Sequence, residues 1–440
     1  MLRDIALTLF IAGLLPFILA RAWVGVLVWT WIGLMNPHKL TFGFARDFPF
    51  ALIVGVTTFL AILISSERGR RFPLTPVTAT LLGFALWMTM TTFFALYPDQ
   101  AWTQWNKVMK IQLMVFITML VMQSRERIQW MVWVTVASLA FYGVKGGLYT
   151  LRGGGMGMVI GPPGSFIEGN TEISLAITMI VPLMMYLMSI DHRRWVRFSL
   201  GLAVALCAVA VIGSYSRGGL LAILAMGGLL WLKSRKKAGI TLMLIAITPF
   251  IFLLMPSPWF ERMATIQSYE QDTSAMGRIN SWGFAINLAN ERPLTGGGFD
   301  AFQKDAFQRW APDPNDFHDS HSIWFQVLGM HGYAGLAIYL LLWWLTWRCA
   351  NDIIRTCRTR PHLRWAGDLA AMIQVSLVGF WAGGSFLGLA YFDLPYILLA
   401  LLVLTQRVVA AEITSTADVP MPARAPEALS VEVAGQQEAR

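Results

Sequence analysis

Long hydrophobic runs, each about 17 to 22 residues, recur along this chain and leave the charged residues in short clusters between them. A helix needs roughly 20 apolar residues to cross the hydrocarbon core of a bilayer. Continuous apolar runs indicate helices, because the strands of a membrane barrel alternate polar and apolar residues. The pattern predicts an all-α polytopic membrane protein with about twelve transmembrane helices.

The scarcity of charge agrees with a membrane location. Only 13% of the 440 residues are charged, about half of the roughly 25% that is usual in a soluble domain. The formal net charge is +9, but the lysines and arginines lie between the apolar runs, where the positive-inside bias places them on the cytoplasmic face. These cations orient the protein, and we expect no nucleic-acid partner.

The basic clusters also predict a topology. Glu67–Arg71, His192–Arg197 and Lys233–Lys237 are expected to face the cytoplasm. A span at Ile240–Met255 then leads to the longest polar interval, which faces the opposite side. The chain divides into an N-terminal part of the helical bundle (1–256), a periplasmic loop domain (257–320), C-terminal transmembrane helices (321–410) and a tail (411–440). The tail is rich in Ala, Pro, Glu and Ser, so we expect it to be disordered and cytoplasmic.

Two stretches resist a simple helix assignment. The runs Leu7–Ala20 and Trp23–Met35, separated by Arg21, form either two helices or one interrupted element, and the count of spans rises to about thirteen if both cross. Lys145–Thr171 contains Arg152 and many glycines and prolines, so we expect an outer-face loop or re-entrant turn there rather than a helix. The three cysteines fit neither a disulfide framework nor a zinc site.

Arg217 is the most informative single cation, because it lies between two hydrophobic runs with hardly any loop. An ionisable residue there is costly and indicates either function or local pairing. It could snorkel to the interface or pair with Glu168 or Glu172. Alternatively, Arg217 and Arg278 bind phosphate oxygens, for which the planar guanidinium fork is suited. Gly218 and Gly219 would then let a ligand approach the start of the next helix.

His321 is the candidate general base. It follows Asp319 and Ser320, which are good N-cap residues, before an apolar helix. A helix N-terminus should lower the imidazole pKa and keep the ring neutral near pH 7. His318 and His321 are three apart, but no recognisable motif supplies a third metal ligand, so we expect no metal. His331, deeper in the same helix, is expected to be a packed histidine.

The middle of the polar interval carries weaker signals. Gly296–Gly298 follows no strand and precedes no Lys-Ser pair, so it is a tight turn rather than a nucleotide-binding loop. The aspartates near His318 and His321 either are simply solvated or contact sugars.

Three blocks, in this order, resemble the O-antigen ligase (WaaL-type) and Wzy polymerase superfamily of bacterial envelope glycosyltransferases. They are a Ser-Arg-Gly junction, an Arg, Trp and Pro-Leu-x-Gly-x-Gly-x-Phe block, and a histidine followed by a small polar residue and two later glycines. The matching residues are Ser214–Gly219, then Arg278, Trp282 and Arg292–Phe299, then His321, Ser322, Leu328, Gly332 and Gly335. The opening is also similar to O-glycosylation ligases associated with exosortase systems, through Trp31, Asn36, Pro37, His38 and Phe44.

The resemblance implies a GT-C-like glycosyltransferase in the bacterial inner membrane, with its active site facing the periplasm. It implies inverting transfer of a polysaccharide from undecaprenyl pyrophosphate to a sugar hydroxyl of lipid A-core, without metal or cofactor, by a monomer among membrane lipids. Arg217 and Arg278 would bind the pyrophosphate, with Arg152 as a further candidate, and His321 would be the catalytic base. His318, Asp319 and Arg292 are expected to contact the acceptor or shape the loop.

Three other functions remain open. A polysaccharide polymerase or a protein O-glycosylation ligase would use the same lipid-linked donor and differ only in the acceptor. A transporter of lipid-linked glycans is a different class, and it should show internal repeats or broken helices in corresponding halves. We find no such repeat in the sequence, and one long polar interval on one side favours an enzyme.

Overall fold

The structure is a computed structural model that describes residues 1–64, 71–233, 253–264 and 273–417, together with positions 237, 241 and 249. Over these residues the regular structure is helical, with fifteen α-helices and no strand. Eight helices among the described residues are long and apolar enough to cross a membrane. The expected all-α, multi-pass membrane fold is therefore confirmed, and the number of about twelve spans stays a prediction.

The helices have the following bounds in chain order: α1 (Leu2–Ala20), α2 (Ala22–Met35), α3 (Phe50–Ile64), α4 (Pro76–Phe93), α5 (Pro98–Val121), α6 (Arg125–Arg152), α7 (Asn170–Ile190), α8 (Arg194–Ile212), α9 (Arg217–Lys233), α10 (Ser257–Ala264), α11 (Thr273–Glu291), α12 (Lys304–Trp310), α13 (Ile323–Cys357), α14 (Arg364–Gly384) and α15 (Asp393–Ala417).

Several parts of the predicted topology lie outside the described residues. They are most of the Glu67–Arg71 cluster, the cations Arg235 and Lys236, nearly all of the span at Ile240–Met255, and the tail beyond residue 417.

The most enclosed helices are α7 and α15, in each of which 78% of the apolar window is buried, against 17% for α1. α14 packs against α7, α9 and α13, and α13 also packs against α4 and α11. α7, α9 and α13 begin at the same end of the bundle, near the turn between α14 and α15. We call this end the site end.

The start of the chain forms two helices. Arg21 has an extended backbone (φ −145°, ψ 94°) that ends α1 and begins α2. The Asp4 carboxylate accepts hydrogen bonds from the amides of Gly43 and Ala45 at 2.9 and 3.2 Å, which ties α1 to the turn after α2. The alternative of two helices is therefore the one that the chain adopts.

The assignment of Lys145–Thr171 as a loop is wrong in its first part, because α6 continues to Arg152. Gly143, Gly146 and Gly147 lie on the face of α6 that packs against α8. A Cβ atom at Gly147 would overlap the backbone of Leu206, and one at Gly143 would overlap the Cys207 side chain. Small residues allow close helix approach in membranes, so these glycines belong to an interface rather than to a turn.

The polar interval 257–320 is not a plain loop either, because it contains α10, α11 and α12. Arg278 therefore lies on a helix. α11 packs against both α12 and α13, which connects the interval to the transmembrane bundle through a helix rather than through a flexible tether.

A glycine turn against a kink fixes the start of α13. Gly332 has a left-handed backbone (φ +66°) inside α13. The amides of Gly297 and Gly298 donate to the carbonyls of Gly329 and Met330, each at 2.8 Å. The expected tight turn at Gly296–Gly298 is present, and it holds the first half of α13 at the site end.

Candidate active site

The Ser-Arg-Gly junction positions Arg217 as the first residue of α9. Tyr215 adopts a left-handed backbone (φ +57°), and the Ser216 hydroxyl caps the new helix by accepting from the Gly219 amide at 2.9 Å. The Asn170 side chain donates to the Ser214 carbonyl at 2.8 Å and joins the junction to the start of α7. This turn directs α9 away from α8 within four residues, and it leaves the Arg217 side chain half-buried at the site end.

The two glycines after Arg217 serve helix packing rather than ligand approach. A Cβ atom at Gly219 would overlap the Ser174 hydroxyl of α7, and one at Gly218 would lie 3.3 Å from Thr171 and 3.8 Å from Phe386. Both glycines are buried. The expectation that they open the helix start to a ligand is therefore wrong, because α7 and the α14–α15 turn occupy that space.

α11 holds the segment that precedes His321. The Asn280 amide donates to the carbonyls of Asp313 and Asp316 at 2.8 and 2.7 Å. Ser281 Oγ donates to the His318 carbonyl at 2.9 Å, and Trp282 Nε1 donates to the Ser320 carbonyl at 3.1 Å.

These contacts align consecutive residues of α11 with residues 313–320. The His318 ring fills the space that a side chain at Gly277 would need. Trp282 also stacks on Phe325, with ring centroids 5.0 Å apart and planes at 12°. Arg278 is thereby brought close to His321, although 43 positions separate them in the printed sequence.

His321 is held in an unusual backbone conformation, with φ +41°. The N-cap of α13 is Ser322, so the expected caps Asp319 and Ser320 are wrong. Ser320 does not begin the helix because its carbonyl accepts a hydrogen bond from Trp282 Nε1 rather than from an amide in the first turn of α13. His321 therefore lies just before the helix and not within its first turn.

Burial lowers the pKa of His321, with smaller lowering contributions from Arg278 and His318, while Asp319 acts in the opposite direction. The expected direction is found, but its main cause is burial rather than the helix N-terminus. A lowered pKa keeps the imidazole neutral at pH 7, the state in which it can accept a proton. Asp319 would stabilise the imidazolium once that proton has been taken.

Three arginines interact with one another, and one of them, Arg278, also interacts with His321. Arg217 interacts electrostatically with both Arg278 and Arg262, and Arg278 interacts with Arg262 and with Glu172 of α7. Burial, followed by the Arg262 charge, lowers the pKa of Arg278, and Glu172 partly offsets this. The Nε atom of Arg278 is buried and has no hydrogen-bond partner among the described residues. Like charges repel one another, so this cluster favours an anionic ligand.

Arg262 was missed by the sequence analysis. It is exposed on the short helix α10, and Trp259 anchors that helix by donating to the Ile212 carbonyl at the end of α8 at 3.0 Å. The sequence feature that could have indicated Arg262 is a cation three residues after a tryptophan in a short amphipathic segment. This pattern is weak on its own.

The other expected site residues lie around this cluster in different ways. His318 Nε2 lies 2.8 Å from Asp316 Oδ1. Arg292 donates to the carbonyl of Phe94 at the end of α4, so it joins the glycine turn to the bundle. Arg152 is exposed at the last position of α6. It precedes a turn in which the Gly155 carbonyl accepts from the Tyr215 hydroxyl at 2.6 Å.

Two further histidine expectations can be compared with the structure. His331 is fully buried, and its Nδ1 lies 2.7 Å from Thr91 Oγ1, so the prediction of a packed histidine is confirmed. Among the described residues, no group of three or more His, Cys, Asp and Glu side chains is arranged to hold a metal ion.

Two family models match the chain. Residues 2–192 match a family of unknown function, and residues 202–340 match the O-antigen ligase family. No curated protein matches the chain. The second match includes Arg217, Arg262, Arg278 and His321, whereas Arg152 falls in the first.

Neither match tests the similarity to the exosortase-associated subgroup, which stays a prediction. The match over residues 202–340 agrees with the three motif blocks and with the all-helical, multi-pass fold. Residues 202–340 thus form a domain of the O-antigen ligase family, which supports the resemblance to the O-antigen ligase and Wzy polymerase superfamily.

Proposed function

We propose that the protein is an O-antigen ligase of the bacterial inner membrane, which transfers a polysaccharide from undecaprenyl pyrophosphate to a sugar hydroxyl of lipid A-core on the periplasmic side. The observation that supports this proposal is electrostatic: Arg278 interacts with both Arg217 and His321, so residues from three distant segments act on one another.

The arginines bind the leaving group in this mechanism. Pyrophosphate is already a good leaving group, so catalysis chiefly requires neutralisation of its charge and correct placement of the reactants. Arg217, Arg278 and Arg262 offer guanidinium groups from three helices to the pyrophosphate oxygens. A guanidinium group can donate two parallel charge-assisted hydrogen bonds to such oxygens, and it stays protonated.

His321 takes the proton of the acceptor hydroxyl. As the hydroxyl oxygen attacks the anomeric carbon, the bond from that carbon to the pyrophosphate oxygen breaks, and undecaprenyl pyrophosphate leaves with the electron pair. A single direct displacement inverts the configuration at the anomeric carbon. Asp319, which is near His321 electrostatically, favours the imidazolium that forms, and the chain's own residues supply each of these steps.

The test is reconstitution of the full chain with a lipid-linked glycan and lipid A-core, followed by gel detection of the conjugate. We expect product with the wild type and a loss of about 10²-fold to 10⁴-fold in rate for His321→Ala, the usual contribution of a general base. His192→Ala is the matched control, because His192 is an exposed histidine next to α8, far from His321 in the chain. Equal rates for His321→Ala and His192→Ala would contradict the base assignment.

The same assay separates the acceptor classes. The donor site would be shared by a ligase that acts on lipid A-core, a polymerase that extends a lipid-linked glycan and a ligase that acts on protein. Offering the three acceptors one at a time tests the proposal, and transfer only to a second lipid-linked glycan or only to protein would contradict the ligase assignment. Transport of the donor across vesicles without any conjugate would contradict the glycosyltransferase class.

A further inference from the structure

A cavity lies at the site end, between α2 and α5, and the proposed mechanism leaves it unused. Its volume is about 400 Å³. We call it the lysine groove. Its polar lining comes from the end of α2, one face of α5 and the first residue of α15, namely Asn36, His38, Thr103, Lys107, Lys110 and Asp393.

The lysine groove has an excess of positive charge. Lys107 and Lys110 are three residues apart on α5, so they project from the same face of that helix, and both are exposed. Asp393, which is 5% exposed, interacts electrostatically with Lys107. The lining thus holds two lysines and one carboxylate, and a second carboxylate, Asp300, interacts with Lys107 from outside the lining. Two exposed lysines on one helix face can pair with an anionic ligand.

Aromatic and uncharged polar groups complete the lining. Lys107 Nζ lies 3.8 Å from the centre of the Phe166 ring, and Trp29 of α2 also lines the cavity. The Nδ1 atom of His38 is buried and has no hydrogen-bond partner among the described residues. Such a mixture of cations, aromatic faces and free polar atoms suits the phosphorylated headgroup of a glycolipid, because the phosphate pairs with the lysines while the sugar packs on the rings.

A short series of charges connects the lysine groove with the candidate base. Asp300, in the turn after Phe299, interacts electrostatically with both Lys107 and Asp319. Asp319 in turn interacts with His321. A headgroup held at the lysines would therefore lie at the same end of the bundle as His321, to which this series of interacting charges leads.

We propose that the lysine groove binds a phosphate group of the acceptor glycolipid and so presents the acceptor sugar to His321. This inference rests on the proposed function, since it assigns the acceptor side of the same reaction. The proposed occupant of the lysine groove is a phosphorylated glycolipid.

The test compares phosphorylated and enzymatically dephosphorylated lipid A-core as acceptors for the full chain in vesicles of zwitterionic phospholipid. For Lys107→Gln/Lys110→Gln we expect KM for the phosphorylated acceptor to rise roughly 10-fold or more, the loss for at least one charge-assisted contact. The kcat value and the donor KM should stay unchanged. With the dephosphorylated acceptor, the variant and the wild type should have equal KM values.

Two further variants control for charge and folding. Lys107→Arg/Lys110→Arg keeps both positive charges and should keep most of the acceptor affinity. Lys145→Gln removes an exposed lysine from α6, outside the groove, and should leave KM unchanged. An unchanged acceptor KM in the double glutamine variant, or an equal loss with both acceptors, would overturn the inference.

A binding measurement without donor separates this inference from the proposed function. Phosphorylated lipid A-core should bind the wild type more tightly than the double glutamine variant, even if no transfer occurs. Binding without any product would refute the proposed function and leave the groove assignment intact, whereas transfer with unchanged binding in the variant would refute only the groove assignment. If phosphatidylglycerol competes as well as the phosphorylated acceptor does, the groove is a general anionic-lipid site and the inference is wrong.

Discussion

Replacement of Arg278 by alanine is the sharpest test of the anion site, because the structure gives it a magnitude. The Arg278 Nε–H is buried and unpartnered among the described residues, so a bound pyrophosphate can provide at least one charge-assisted hydrogen bond there. Such a bond contributes about 1.5 to 3 kcal/mol, which corresponds to about 13-fold to 160-fold in affinity. We therefore expect Arg278→Ala to weaken donor binding by one to two orders of magnitude.

The assay measures binding of undecaprenyl pyrophosphate to the full chain in detergent micelles, with inorganic pyrophosphate and inorganic phosphate as competitors. Arg278→Lys keeps the charge but loses the planar fork, so we expect an intermediate affinity. Arg309→Ala is the matched control, because Arg309 is exposed on α12 and pairs with Glu291. Thermal unfolding of each variant checks that the fold is intact.

Two results would refute the reasoning about Arg278. An affinity of Arg278→Ala within a factor of two of the wild type would mean that the Nε–H does not contact the donor. An equal loss in Arg309→Ala would mean that general surface charge, and not the arginine cluster, attracts the donor. Donor binding that depends on general surface charge would also weaken steeply with added salt, because exposed charges are screened within about 10 Å at 0.1 M ionic strength.

Four more outcomes are expected. The rate, expressed as kcat/KM, should fall as pH drops through the pKa of His321, since only the neutral ring accepts a proton. Asp319→Asn should move that fall to lower pH, because it removes the charge that raises this pKa; a shift to higher pH would contradict the assignment. Arg262→Ala should weaken donor binding at least 10-fold, as expected for one charge-assisted contact, measured as for Arg278. Gly332→Ala should lower the free energy of unfolding by about 1 to 3 kcal/mol in denaturant titration, because Gly332 has φ +66° and its Cβ would lie 2.5 Å from the Pro293 carbonyl oxygen.

The candidate site residues that the sequence indicates are the chemically conspicuous ones. Arg217 and His321 stand out because cations and imidazoles are costly next to apolar runs, so their positions alone carry information. Arg262 does not stand out in this way. Its nearness to Arg217 depends on the Trp259 indole, which bonds to the Ile212 carbonyl 47 positions away, and no local pattern encodes such a contact.

The errors have a common physical origin, because the same residue types serve different purposes in a turn and in a helix interface. Gly146 and Gly147 fall in the stretch that the sequence predicts as a loop or turn, yet they lie in α6 and let it approach α8. Ser320 reads as a helix cap, yet Trp282 of a distant helix takes its carbonyl. Local propensity fixes what a residue can do, and the packing partners decide which of these options is used.

The arrangement of charge around His321 gives the proposed reaction a direction. Arg278 and Asp319 both act electrostatically on His321 and in opposite directions, since the arginine lowers the pKa of the imidazole and the carboxylate raises it. Inversion needs the leaving group and the nucleophile on opposite faces of the anomeric carbon. A pyrophosphate bound by the arginines would leave the opposite face of the anomeric carbon to the acceptor hydroxyl, whose proton His321 takes. The arginine cluster concerns the donor and the lysine groove concerns the acceptor, so either proposal can fail without the other.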